Sequence, residues 1–217
     1  MNWQQFWNNI ANQSDLKSQV GRIRDEEIML AATHIIQLLN INKNDKVLDV
    51  CCGNGLLTKV VSRYCKTISA IDFSEALIKE AKSKSSADNI SYLFNNAKSF
   101  QLGEDFDKIY LSFSFQYFET YDEGKEVISQ LLKHSGSGTK ILISDIPDKS
   151  RWGAFYNNFL KKFFYYKQKL SGNEIMGKFW SEDEMKRICD ELGVRSRKII
   201  QPSNLPYAHY RFDWLIE

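Results

Sequence analysis

The stretch Lys46-Val47-Leu48-Asp49-Val50-Cys51-Cys52-Gly53-Asn54-Gly55-Leu56-Leu57-Thr58 decides how this 217-residue chain is read. Val47 to Val50 is a short apolar run carrying one acid, Asp49. The run breaks at Gly53 and Gly55, and a helical pattern restarts at Leu56 and Leu57. A buried strand feeding a glycine turn and a helix N-terminus is a nucleotide-handling device, because unpaired backbone N–H groups point out of such a turn. Glycine also lets backbone approach a ligand that a Cβ would hold off.

Outward from that turn, strands alternate with helices. Upstream, Glu26 to Leu39 carries Ile28, Ala31, Ala32, Ile35, Leu38 and Leu39 on one helical stripe. Downstream, the helix from Leu56 to about Tyr64 is followed by a strand over Thr67–Ile71 that ends at Asp72, and Ser74 opens the next helix. Further strands are expected at Ile90–Phe94, Lys108–Phe115 and Lys140–Ser144, with a helix over Glu123–Lys133 that stops at Gly136 and Gly138. Strands separated by helices form a parallel sheet covered on both faces. The last third changes rhythm. Ser181-Glu182-Asp183-Glu184 is a capping box, with Trp180 and Met185 placed as a hydrophobic staple, and its helix closes at Gly193. Two β-rich runs follow, Arg197–Gln201 and His209–Ile216, with no helix between them, so they pair antiparallel.

Composition narrows the classes. At 43% apolar content the chain buries one sizeable core, and residues 1–217 are expected to form one domain. A net charge of +2 gives no electrostatic footprint for nucleic acid. No apolar run reaches membrane-spanning length, and MNWQQFWNNIANQSD lacks a signal peptide's basic start and apolar centre. The four cysteines form no CxxC pair and cluster with no histidines, which points to a reduced, cytoplasmic and metal-free protein. The adjacent pair Cys51-Cys52 reads as small residues in a tight turn before it reads as a redox couple.

Asp49-x-Cys51-Cys52-Gly53-x-Gly55, with Asp72 ending the next strand, resembles the S-adenosylmethionine site of the class I methyltransferases. The resemblance covers roughly residues 26 to 217. It implies an α/β fold: a three-layer, doubly wound, seven-stranded sheet, mostly parallel with an antiparallel last strand. It also implies S-adenosylmethionine as cofactor and methyl transfer as activity. Asp72, 23 positions after Asp49, would grip ribose hydroxyls, or else would only cap a helix or face solvent. Cys51, Gly53, Asn54 and Gly55 would lie against the methionine half, with Asp49 orienting the loop or the methionine ammonium. Phe73 would pack on ribose or adenine, and Asn96 and Ala97 would read the adenine edge. Ser112 and Phe113 would line the methionine side. Phe113 and Tyr117 offer aromatic faces to a sulfonium cation, or are plain core. Two departures stand out: Cys51 occupies the usual first-glycine position, and Asn96 stands where an acid is common.

The N-terminal arm, residues 1–25, carries Trp3, Phe6 and Trp7 and is expected to fold over the cofactor, with Arg22 near the methionine carboxylate. The alternative for Arg22 is surface pairing with Asp25 or Glu26. For a general base, His209 and then Asp145 are the candidates, because strand direction places both at the active-site edge. Residues 148–180 hold ten aromatics and seven basic residues against two acids, and read as a lid. Either its lysines only face water, or the lid selects an anionic or lipid-linked acceptor through peripheral membrane contact.

No Asn/Asp-Pro-Pro-aromatic signature follows the fourth strand, and no Pro-Cys nucleophile is present at Pro147, so a small-molecule acceptor is expected. The closing run QPSNLPYAHYRFDWLIE is similar to small-molecule methyltransferases associated with bacterial surface polysaccharides, which suggests a saccharide hydroxyl or another metabolite. Two other readings stand beside this one. One is a cofactor-binding protein of the same fold that transfers nothing. The other is a nicotinamide-dependent dehydrogenase, disfavoured because Thr58 occupies the position of the third glycine in G-x-G-x-x-G.

Overall fold

The computed structural model describes residues 2–13, 24–171 and 175–217. Seven strands form one sheet: β1 (Lys46–Val50), β2 (Thr67–Asp72), β3 (Ile90–Phe94), β4 (Phe106–Ser112), β5 (Ser135–Pro147), β6 (Ser196–Ile200) and β7 (Arg211–Ile216). Their spatial order is β3-β2-β1-β4-β5-β7-β6. β1 to β5 pair in parallel, and β7 runs antiparallel to both β5 and β6. The sheet is the doubly wound one expected, with its last strand reversed.

Alternation along each strand separates the two faces. Leu48, Val50, Ile109, Leu111, Ile141, Ile143, Phe212 and Trp214 point to one side. There they meet helices α5 (Tyr121–Leu132) and α8 (Glu182–Glu191) through Val127, Ile128, Met185 and Ile188. Val47, Tyr110, Leu142 and Leu215 point to the other side, onto α2 (Asp25–Leu39) and α3 (Leu56–Val61). Helix α4 (Glu75–Lys84) closes a third cluster, with Ile78 and Ala81 against Ala70 and Tyr92. The helix starts follow the sequence signals. Ser74 Oγ accepts the Leu77 N–H, and Ser181 and Glu184 cap one another reciprocally.

Several details differ from the sequence reading. β4 stops at Ser112 instead of Phe115, because Phe113 turns into the left-handed region (φ 59°) and a short 3₁₀ turn, Phe115–Tyr117, follows. Helix α5 ends before the glycines, and Gly136 and Gly138 lie within β5. A bulge there sets Phe106 and Lys108 of β4 against Ser135 and Lys140 of β5, and glycine accommodates it. Trp180, read as a staple, is a core residue. Its ring fills the space beside Gly124, where an added Cβ would lie 2.4 Å from it, and its Nε1 donates to the Phe115 carbonyl at 3.2 Å.

The segment after β5 leaves and re-enters the body at one point. Trp180 N–H donates to the Pro147 carbonyl and Lys149 N–H to the Trp180 carbonyl, each at 2.9 Å. Between those anchors lie α6 (Trp152–Phe155) and α7 (Phe159–Leu170). At the other end of the chain, α1 (Trp3–Gln13) lies across the ends of the strands. Gln4 Nε2 donates to the Phe73 carbonyl at 2.9 Å, and Ser74 Oγ lies 2.6 Å from Asn8 Oδ1. Among the described residues, no helix is long and apolar enough to cross a membrane.

Candidate active site

Asp49 pairs with Ala70, so Asp72 lies two register positions further toward the strand ends, and together the two acids organise the turn between them. Asp72 Oδ2 accepts the Gly53 N–H at 2.9 Å, and Oδ1 accepts the Ser74 N–H at 2.8 Å. One carboxylate therefore ties the glycine turn of β1 to the start of α4. Its side chain is 5% exposed and lines the cavity described below, so each oxygen keeps a lone pair for a ligand. Burial pushes its carboxyl up to about 6, against backbone N–H donors that pull it down. Asp49 Oδ2 accepts two hydroxyls, from Thr58 and Tyr110, both at 2.6 Å. That clamp joins β1 to α3 and β4. Burial pushes the Asp49 carboxyl up to about 7, over the opposing pull of the Thr58 and Tyr110 hydroxyls.

Around these acids the backbone is bent at each strand end. Cys51 (φ 62°) follows β1, Phe113 (φ 59°) follows β4, and Asp145 (φ 60°) sits in the bulge of β5. Three neighbouring strands thus carry a non-glycine residue in the left-handed region, at a cost of roughly 1–2 kcal/mol each. Such strain concentrates where loops must present backbone to a ligand. Cys51, the departure from the expected glycine, adopts the conformation a glycine would have. Its thiol is pushed upward first by burial and then by the Asp72 charge, so it stays protonated.

A cavity of about 390 Å³ opens at these strand ends, inside the usual size range for small-ligand sites. Of the residues singled out in the sequence, Asp49, Cys51, Gly53, Asp72, Phe73, Asn96, Ala97, Ser112, Phe113 and Tyr117 line it. Asn54 is buried beneath the turn, its Oδ1 accepting the Leu56 N–H at 3.4 Å. Gly55 departs from the expectation: its open side faces protein, since a Cβ there would lie 2.3 Å from the Tyr92 hydroxyl. Asn96 is exposed, and its Oδ1 accepts the Lys98 N–H at 2.9 Å. Arg22 lies outside the described residues.

Neither candidate base lines the cavity. His209 is exposed, with its ring 4.8 Å from that of Tyr210. Asp145 is buried in a polar cluster: Gln201 Nε2 donates to Asp145 Oδ1 at 3.0 Å and to Asp213 Oδ1 at 2.7 Å. Asp213 Oδ1 also accepts the Asp145 N–H at 2.8 Å, and its Oδ2 meets His34 Nε2 at 2.6 Å. Strand direction alone put both residues at the correct edge. The bulge in β5 then turned Asp145 inward, and the turn before β7 left His209 outside.

Other wall residues were not singled out as ligands. Asn95, Ser114, Phe118 and the Lys98–Glu123 ion pair (3.0 Å) all line the cavity. Trp3 and Trp7 of α1 cover it, their rings 4.5 and 5.4 Å from Tyr117. Arg211 is fully buried, with its guanidinium 4.1 Å above the Phe113 ring, and its Nη1 donates to Gln116 Oε1 at 3.2 Å and to the Asp145 carbonyl. Only a topology joining β7 to the end of β4 brings Arg211 there.

Comparison with known proteins follows the same lines. A family model described as a methyltransferase domain matches residues 47–136. The malonyl-[acyl-carrier protein] O-methyltransferase of Bacillus anthracis is 26% identical over 153 residues, covering 69% of this chain and 54% of that protein. The sheet of this chain has the fold of the class I S-adenosylmethionine-dependent methyltransferase superfamily, and residues 47–136 are similar to a methyltransferase domain. A demethylmenaquinone methyltransferase of Staphylococcus epidermidis is 27% identical over 108 residues, covering 48% of this chain and 45% of that one. The chain spans about half the length of the curated relatives it matches. Its fold is shared with the N-methyltransferase NodS of Bradyrhizobium japonicum WM9, solved with S-adenosyl-L-homocysteine. TM-score is 0.72 at 16% identity, over 100% of this chain and 98% of that one.

The superfamily's cofactor is S-adenosylmethionine, and the wall chemistry fits it. The wall offers the Asp72 carboxylate as an acceptor for hydroxyls, the aromatic and apolar groups of Phe73, Ala97 and Leu77, and the bent backbone of Cys51 and Phe113.

Proposed function

We propose that this chain transfers a methyl group from S-adenosylmethionine to a small-molecule acceptor. The observation that carries the reading is the Asp72 carboxylate, which holds the Gly53 turn with one face and opens to the cavity with the other. Asp72 accepts the ribose hydroxyls, Phe73 and Ala97 enclose the adenine, and Asn96 hydrogen-bonds its edge. The turn Cys51–Gly53 and the Ser112–Phe113 corner hold the methionine half. Asp49 acts through Thr58 and Tyr110, fixing the turn from below. The cofactor supplies a methyl group on a sulfonium, a displacement centre that needs only in-line approach of a nucleophile.

The protein's contribution to chemistry is then alignment and exclusion of water. Trp3, Trp7 and Tyr117 close the cavity. The acceptor is read as a hydroxyl of a saccharide or a related metabolite. Incubating the protein with methyl-labelled cofactor and fractionated small-molecule extracts tests this reading, and label in a low-mass product is the expected result. A second reading, a protein that binds the cofactor without transferring its methyl, is favoured by one observation: neither His209 nor Asp145 reaches the cavity. Saturable cofactor binding with no labelled product from any fraction would support it.

A further inference from the structure

Helix α7 leaves nearly its whole circumference in solvent, and its outer side is apolar. Phe159, Phe163, Tyr166 and Leu170 recur at helical spacing on one stripe and are 80%, 55%, 56% and 90% exposed. Leu160 and Phe164 widen it. On another flank the Tyr165 ring packs on the body, with ring centroids 4.7 Å from Tyr156 and 5.4 Å from Trp152. The sequence FLKKFFYYKQKL holds four lysines and no acid. Lys161, Lys162 and Lys169 reach back over the rings of Phe155, Trp152 and Tyr165, at 5.8, 5.9 and 5.6 Å, which leaves a positive rim around the apolar stripe.

A soluble surface does not keep so large a contiguous apolar face without a use. We propose that α7 is an interfacial helix that seats this protein on a lipid bilayer with anionic headgroups. The charge pattern selects that occupant. A second copy packed stripe to stripe would bring like-charged rims together. A purely acidic protein partner would leave the exposed phenylalanines unexplained. A basic rim about an aromatic stripe matches headgroup phosphates outside and acyl chains beneath.

The anchor has a second consequence. From Tyr165, rings follow one another through Tyr156, Phe155, Tyr210 and Tyr207 to Phe113, a wall residue of the cavity, at centroid distances of 4.7, 4.7, 4.7, 6.1 and 5.3 Å. Seated by α7, the protein has the outer end of this aromatic row just behind the lipid-facing helix and the inner end at the cavity wall. The acceptor class that fits is an amphiphile whose polar head enters the cavity, and this last step alone rests on the methyl-transfer reading.

Sedimentation with phosphatidylglycerol–phosphatidylcholine vesicles tests the docking, with pure phosphatidylcholine vesicles alongside. The whole chain binds the anionic vesicles at least tenfold more tightly than the neutral ones, and added salt releases it. Each near-surface lysine is worth about fivefold, so reversing Lys161, Lys162, Lys167 and Lys169 to Glu takes binding below detection. Changing Phe159, Phe163 and Leu170 to Ser lowers it at least tenfold. S-adenosylhomocysteine affinity, measured by calorimetry, stays unchanged in both variants and certifies their fold. Absence of binding to anionic vesicles overturns the proposal. So does undiminished binding of the serine variant, which would mark a charge-only contact, or a solution dimer that the same substitutions dissociate. Vesicle binding by a chain that ignores S-adenosylhomocysteine keeps the docking and removes the methyl-transfer reading.

Discussion

The turn after β1 and the segment between Asp148 and Trp180 are both loops at the same end of the sheet, yet they are built oppositely. The turn is held by backbone. Gly53 N–H meets Asp72, Cys52 N–H meets the Ile71 carbonyl at 3.0 Å, and Cys51 accepts a left-handed conformation. The later segment is hydrogen-bonded to the body near its two ends, its described middle packs through rings, and four of its ten aromatics are turned to solvent. Backbone-held geometry suits a ligand that never changes. Side-chain packing leaves room for an acceptor that differs from one protein to the next.

Breaking the first region should hurt most. Asp72→Ala removes the Gly53 tether and, with it, the proposed ribose acceptor. Hydrogen bonds to a charged group are worth about 1.5–3 kcal/mol each, so affinity for S-adenosylhomocysteine should fall at least 100-fold by calorimetry. A loss below threefold breaks the contrast. The cover comes next. Replacing Trp3 and Trp7 together by Ala removes two ring contacts with Tyr117, worth about 0.5–1.5 kcal/mol each, and should weaken affinity about tenfold.

Acidity should separate binding from folding. Asp49 and Asp72 titrate near 7 and 6 in the folded chain, above the ordinary 3.8. Between about pH 4 and 7 the folded state therefore holds more protons than the unfolded one, and these two groups make the ligand-free protein more stable as pH falls through that window. Ligand binding should move the other way, weakening severalfold below about pH 6 as the Asp72 carboxylate is lost. Thermal melts and calorimetry at pH 7.5 and 5 check both, and Asp49→Asn should flatten the melting profile. A melting temperature that drops toward pH 5 contradicts the assignment.

The smallest effects sharpen the contrast from its edges. Cys51→Gly should leave cofactor affinity within about threefold, because glycine takes the φ of 62° without strain. Cys51→Val should lose at least tenfold. His209→Ala should keep turnover within about twofold, since its ring stands outside the cavity.

The same division governs what the sequence made legible. The alternation of strands and helices and the antiparallel terminal pair follow from periodicity, caps and one glycine turn, all local signals, and the wall residues from Asp49 to Asn96 follow from the resemblance that turn carries. What escaped needs long-range topology. The Tyr92 hydroxyl occupying the open side of Gly55, the Asp145–Gln201–Asp213–His34 cluster and Arg211 over Phe113 each join residues far apart in the chain. Position relative to a strand end located His209 and Asp145 but not the direction of their side chains, which a bulge and a turn decided. Residues 148–180 read as one unit, whereas Trp180 belongs to the core and Phe159 to the surface.

The central claim is a cofactor cavity organised by Asp72, and its most direct measurement is a calorimetric titration of the intact chain with S-adenosylhomocysteine at pH 7.5. The account predicts a single saturable site with one ligand per chain. A folded sample that releases or absorbs no heat across the titration contradicts it.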